Sequence, residues 1–223
     1  MKQWITSCEE LAQAVLKMGF LPFFQNDIKG FSIEEHISPE LWFSDTADGP
    51  WEWKGPVIRG AGCAYGKLFR GKAGFISAEW YPDFANYRRK GYDFDARYDD
   101  GLAGYQEKEV YDLLAGNGSL LSKELKRLGG FHKHGKKDFD AIITRLQMQG
   151  YVVTEDFEYQ RDKHGNTYGW GVARYTTPER RFGEQFINTV YLNEPQQSKE
   201  RMVKHLSALL PDADEKQILK LLG

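Results

Sequence analysis

The second half of the chain is punctuated by glycines at spacings that leave room only for short helices. Gly116 and Gly118, then Gly129 and Gly130, break the apolar periodicity into three runs. The spacing predicts one helix over residues 103–115, where Val110, Leu113 and Leu114 are apolar, a second over 119–128 and a third over 136–149. Two apolar-rich strands follow, at residues 151–158 and 168–175, joined by the turn DKHGN. Three short helices and then a hairpin is the layout of a winged helix-turn-helix, whose third helix can lie in the DNA major groove.

The first half reads differently. Ser7 precedes Glu9 and Glu10, and Leu11, Ala14, Val15 and Met18 recur at helical spacing until Gly19 stops the run. A loop-like stretch follows, rich in Pro and Gly and studded with Trp42, Trp51 and Trp53. Val57-Ile58, residues 64–69 and residues 73–76 read as short strands, with Arg70-Gly71-Lys72 as a hairpin turn. Ser77 is placed to cap a helix that Pro82 would distort, and the acidic YDFDARYDDG reads as a turn-like divider. The expected fold class is α+β. A small aromatic-rich α+β domain (residues 1–101) precedes a winged helix-turn-helix domain (102–183), and C-terminal amphipathic helices (184–223) follow. In that tail Met202, Val203, Leu206, Leu209 and Leu210 would pack on the body or on a partner.

Composition narrows the function classes. With 223 residues, 14% of them aromatic, the chain is long enough for one or two packed domains. A formal net charge of −2 argues against a surface wholly devoted to a polyanion, leaving local basic patches. Cys8 and Cys63 stand far apart, giving neither a disulfide framework nor a cysteine-rich zinc site. The N-terminal run carries acids and has no continuous apolar stretch, so a soluble cytoplasmic protein without a membrane partner is expected. No phosphate-cradling glycine loop is present and no cofactor is expected. Nothing in the sequence sets an oligomeric state.

Local positive charge gathers around the third helix and the hairpin. Lys133, Lys136, Lys137, Arg145 and, in the hairpin turn, Lys163 are the candidate phosphate contacts, making DNA a candidate partner. On the third helix Phe139, Ile142, Ile143 and Leu146 form the inward stripe; Lys137, Asp140, Thr144, Arg145 and Met148 are left outward. A solvated helix face used for packing is the competing reading. His132, His134 and His164 read as surface histidines rather than metal ligands, and no metal is expected. Trp51, Trp53, Trp80 and Tyr87 are candidate base-stacking residues, since enzymes that act on a base hold it between aromatic walls. Ordinary core is the alternative for each.

Two long stretches, WEWKGPVIRGAGCAYGKLFRGKAGFISAEWYPDFANYRRKGYDFDARYDD and FDAIITRLQMQGYVVTEDFEYQRDKHGNTYGWGVARYTTPE, carry a family resemblance over roughly residues 5–185. The chain resembles a group of bacterial proteins related to AlkZ, the winged-helix alkylpurine DNA glycosylases. The glycosylases themselves use a motif of Gln, an apolar residue, then Gln or Asp, which places water and steadies charge at the sugar. Gln147-Met148-Gln149 is the stretch here that matches it, and the resemblance implies those two glutamines as catalytic candidates. Amides could orient a water or stabilise an oxocarbenium-like state, but not take a proton. The leading expectation is a winged-helix nucleic-acid-binding protein. Excision of alkylated purines is the enzymatic alternative, and a non-catalytic protein-interaction scaffold the other.

Overall fold

A computed structural model describes residues 4–44, 46–132, 134–161, 163–164 and 167–223. Helix α1 (Cys8–Met18) begins where Ser7 Oγ accepts a hydrogen bond from the Glu10 N–H, and ends at Gly19. Strand β1 (Phe20–Pro22) follows, then the short α2 (Pro39–Trp42) and the longer α3 (Pro50–Ala61). Val57-Ile58, expected as a strand, lies inside α3. Pro50 starts that helix, Glu52 reaches back to the Gly49 N–H, and Trp53 and Val57 share its buried face one turn apart. Burial of those side chains outweighs the strand preference of two β-branched residues.

Strands β2 (Cys63–Phe69) and β3 (Lys72–Ser77) form the expected hairpin about Arg70-Gly71. Helix α4 (Tyr81–Arg89) starts four residues after Ser77, so Pro82 falls in its first turn, where no intrahelical N–H is required, and leaves the helix undistorted. The acidic stretch expected as a turn contains helix α5 (Phe94–Asp99), capped by the Asp93 side chain on the Ala96 N–H.

The second half runs α6 (Tyr105–Asn117), β4 (Ser119–Leu121), α7 (Ser122–Leu128), α8 (Phe139–Met148), β5 (Val153–Arg161) and β6 (Thr167–Thr176). The expected second helix thus begins as a strand. Residues 119–121 hydrogen-bond to β6, and Glu124 then caps α7 by accepting from the Leu121 N–H. Helix α9 (Pro178–Thr189), kinked at Gly183, leads to α10 (Pro195–Leu209) and α11 (Glu215–Leu222). Among the described residues no helix is long and apolar enough to cross a membrane.

One six-stranded antiparallel sheet, in the order β1-β3-β2-β5-β6-β4, runs through both halves. The join is the pairing of Tyr65 on β2 with Thr154 on β5. Met202, Leu206, Ile218 and Leu221 of the last two helices share a core with Phe20, Leu68 and Phe84, so the tail packs on the body. A separate apolar cluster built on Val110, Leu125, Ile142 and Leu146 sits among α6, α7 and α8.

Arg89, 1% exposed, ties these layers together. Its Nη2 donates to the Gly150 carbonyl at 2.7 Å, and its Nη1 donates to Glu179 Oε1 at 2.8 Å and to the Tyr191 hydroxyl at 2.9 Å. The guanidinium lies over the Tyr151 ring at 4.4 Å. Gly150 itself has φ +79°, and a Cβ there would stand 3.1 Å from Ala85 Cα. Only glycine brings that carbonyl to the arginine. Replacing Arg89 with Met leaves Glu179 and the Gly150 carbonyl without their buried partner. The expected cost is on the order of 3–5 kcal/mol in urea denaturation; a loss below about 1 kcal/mol would place the stabilisation elsewhere.

Candidate functional site at the α8–β5 turn

The two glutamines that end α8 point in different directions. Gln147, at the buried stripe one turn after Ile143, is 2% exposed. Its Oε1 accepts from the Lys67 N–H at 3.1 Å and its Nε2 donates to Thr154 Oγ1 at 3.3 Å. A Cβ on Gly66 would come within 3.0 Å of that Nε2, so glycine is what lets the amide reach β2. The side chain therefore bridges α8, β2 and β5 at the join of the sheet, with both ends of its amide engaged by protein.

Gln149 turns the other way, into an open cleft of about 470 Å³. Tyr87, Arg88 and Lys90 from the end of α4, Arg97 from α5, and Gln196 from α10 line it with Gln149. Neither Gln149 Oε1 nor Arg97 Nε, both shut off from solvent, has a hydrogen-bond partner among the described residues. Arg88 is half-buried and committed to the backbone: its Nε donates to the Met148 carbonyl at 2.7 Å and its Nη1 to the Gly223 carbonyl at 2.7 Å. Desolvation draws its pKa below the usual guanidinium value. Arg88 and Arg89 are thus consecutive residues whose guanidinia hold the carbonyls on either side of Gln149.

The candidate phosphate contacts separate into two kinds. Lys136 pairs with Glu109, and Arg145 Nε donates to Glu107 Oε1 at 2.6 Å, so α6 carboxylates offset both charges. Lys137 and Lys163 are exposed and carry no ion pair among the described residues. Lys133 lies outside the described residues. The outward face of α8 is narrower than its periodicity implies. The β2–β3 turn approaches it so closely that a Cβ on Gly71 would stand 3.7 Å from Thr144 Cγ2 and 3.9 Å from Met148 Sδ. Lys67 Nζ also donates to Thr144 Oγ1 at 3.1 Å.

The aromatic candidates do not converge on one pocket. Trp53 is buried in the core of the first half, with Val57 and Tyr65. Trp51 is half-buried, its Nε1 donates to the Trp42 carbonyl at 2.7 Å, and Phe43, 73% exposed, stacks on it. Trp80 is stacked on His205 with centroids 4.2 Å apart. Only Tyr87 reaches the cleft that Gln149 enters. Among the described residues no three His, Cys, Asp or Glu side chains are grouped to hold a metal ion.

A family model described as AlkZ related matches residues 5–223. The chain belongs to the AlkZ-related family. No curated protein and no solved structure matches it. The family match takes in the C-terminal helices, which the resemblance read from the sequence had stopped short of. In this AlkZ-related chain Arg88, Lys90 and Arg97 belong with Gln149 although they are far from it in sequence. Arg97 was masked by the four aspartates of YDFDARYDDG, and its one legible signal was Asp93, correctly placed to cap a helix. The division of the glutamine pair predicts two different stabilities. Gln147→Ala strands the Lys67 N–H and should cost about 1–3 kcal/mol, whereas Gln149→Ala removes an unpartnered oxygen and should change stability by less than about 0.5 kcal/mol. Thermal and urea denaturation of the two variants would check the contrast, and equal losses would refute it.

Proposed function

We propose that this AlkZ-related chain is a winged-helix nucleic-acid-binding protein, the winged helix spanning residues 102–183 between the flanking parts 1–101 and 184–223. The carrying observation is the order α6, β4, α7, α8, β5, β6, in which β4 hydrogen-bonds to β6 through Ser119↔Thr176 and Leu121↔Arg174. A three-stranded sheet closing on a three-helix unit in that order is what a winged helix requires. Lys137 beside α8 and Lys163 at the hairpin turn, with no ion pair among the described residues, supply charge to a phosphate backbone.

The test is electrostatic. Binding to duplex and single-stranded DNA should weaken as salt rises, because phosphate contacts release counterions. Replacing Lys137 and Lys163 together with Ala should lower the slope of log K against log salt by roughly two, about one per contact. Absence of any salt-dependent binding at low ionic strength would end the reading.

A second reading, excision of a damaged purine, is favoured by Gln149 entering a cationic cleft with a tyrosine wall. In that chemistry Gln149 steadies the sugar or orients the water, while Gln147 holds the turn that presents it. Release of alkylated base from a labelled duplex, followed by strand scission at the abasic product, separates the two. Activity in the wild type that Gln149→Ala abolishes supports excision; no release by the wild type leaves binding alone. An interaction scaffold has less support, because α10 and α11 spend their apolar faces on the core.

A further inference from the structure

We propose that the β2–β3 turn is a second nucleic-acid contact of this chain, a basic ridge on which Lys67, Arg70 and Lys72 take phosphates of a DNA duplex that also meets Lys137. The inference rests on the nucleic-acid reading and adds to it residues of the first half, outside the span 102–183.

Three observations lead there. The turn is built against α8: a Cβ on Gly71 would stand 3.7 Å from Thr144 Cγ2, and Lys67 Nζ donates to Thr144 Oγ1 at 3.1 Å. Lys137 precedes the N-terminal end of α8, while the turn flanks Thr144 and Met148 in its C-terminal half. Cations therefore bracket the part of the helix that stays open.

Second, the charges of the ridge are unspent. Lys67, Arg70 and Lys72 are exposed and make no ion pair among the described residues. Lys67 gives one N–H to Thr144 and Lys72 one to the Gln25 carbonyl at 3.4 Å, which leaves each ammonium donors for an incoming oxygen. Around α8, by contrast, Lys126 is paired with Asp140, Lys136 with Glu109 and Arg145 with Glu107. The carboxylates nearest the ridge are engaged as well. Asp27 meets Lys220 Nζ at 2.5 Å, which holds its carboxyl below the usual carboxylate range with smaller help from Arg70 and Lys72. Glu34 accepts from the Gln25 N–H at 2.8 Å. Cations without a built-in counter-ion favour an external polyanion.

Third, Arg70 is an unfavourable residue for the turn it occupies. Arg70 at φ +53° and Gly71 at φ +79° form the two-residue loop, and a hairpin loop with positive φ at both positions prefers Asn-Gly. The arginine side chain makes no hydrogen bond or ion pair among the described residues, so the fold draws nothing from its charge. A guanidinium carried outward on a tight turn offers paired donors to a phosphate.

Fluorescence anisotropy of the full chain with a labelled duplex, over a salt series, tests the ridge. Arg70→Asn gives the turn its preferred residue, so its melting temperature should equal or exceed that of the wild type. Its affinity at low salt should nevertheless fall about tenfold, the effect of one charge-assisted hydrogen bond. Adding Lys72→Gln should lower the slope of log K against log salt by about two from the wild-type value. Should Arg70→Asn melt lower, Arg70→Gly, equally free to take that φ, serves in its place. The charge-matched control is Lys17→Gln with Lys204→Gln, two exposed cations near Gly19, whose carbonyl meets the Ser77 N–H at the far end of β3. It should leave the slope unchanged.

An unchanged slope in the folded turn variant, or an equal drop in the control, would overturn the ridge. Binding that responds to replacement of Lys137 and Lys163 but not of Arg70 and Lys72 overturns the ridge alone. Binding that responds only to Arg70 and Lys72 upholds the ridge and removes the winged-helix contact instead. No salt-dependent binding by the wild type overturns both.

Discussion

The contact between the Arg89 guanidinium and the Gly150 carbonyl is the constraint from which the rest of the molecule hangs. A buried arginine is tolerable only when its charge is matched and its donors are used. Here Glu179 supplies the charge, Tyr191 and Gly150 take up donors, and Tyr151 offers a ring face. Those partners come from α9, the segment after it and the α8–β5 turn, so one side chain of α4 registers three parts of the chain against one another. The turn has no freedom to drift. Its conformation fixes where Gln147 and Gln149 leave the backbone, and their opposite directions follow from lying on either side of a helix end.

The inward glutamine has a structural task. Where two hairpins meet edge to edge, only Tyr65 and Thr154 form a backbone pair among the described residues, so the seam is short of main-chain hydrogen bonds. Gln147 adds side-chain bonds to both strands at that point, to the Lys67 N–H and the Thr154 hydroxyl. An amide suits this place because it can donate and accept at once without carrying charge into the interior. A carboxylate there would meet the Thr154 hydroxyl but bury a charge, and an alanine would leave the seam open.

Much of the second half was legible because its signals are local. Glycines at 116, 118, 129 and 130 and a clear apolar stripe on α8 are enough to mark three helices and a hairpin. Errors arose where tertiary burial overrode a local preference. Val57 and Ile58 look like strand residues but face a core that a helix fills better, and residues 119–121 look helical but find an open edge on β6. The candidate site was half legible. The glutamine pair stood out by its resemblance to a motif, but periodicity places a side chain only relative to its own helix. Whether Gln147 met water or β2 depended on a hairpin some 80 residues earlier, which meets it at Gly66 and Lys67. The arginines of the cleft were hidden for the same reason: they come from α4 and α5, and only the fold brings them to the end of α8.

The turn at Gly71 has a bearing on selectivity. A helix that distinguishes one base sequence from another does so with several side chains reaching base edges from one open face. On α8 the β2–β3 turn already occupies the flank of Thr144 and Met148, and what remains open is Ala141 with Asp140 and Arg145, both already ion-paired. Such a helix has little vocabulary for the order of bases. A nucleic acid meeting this surface would be held by its charge and its shape, with the same grip along any stretch of it.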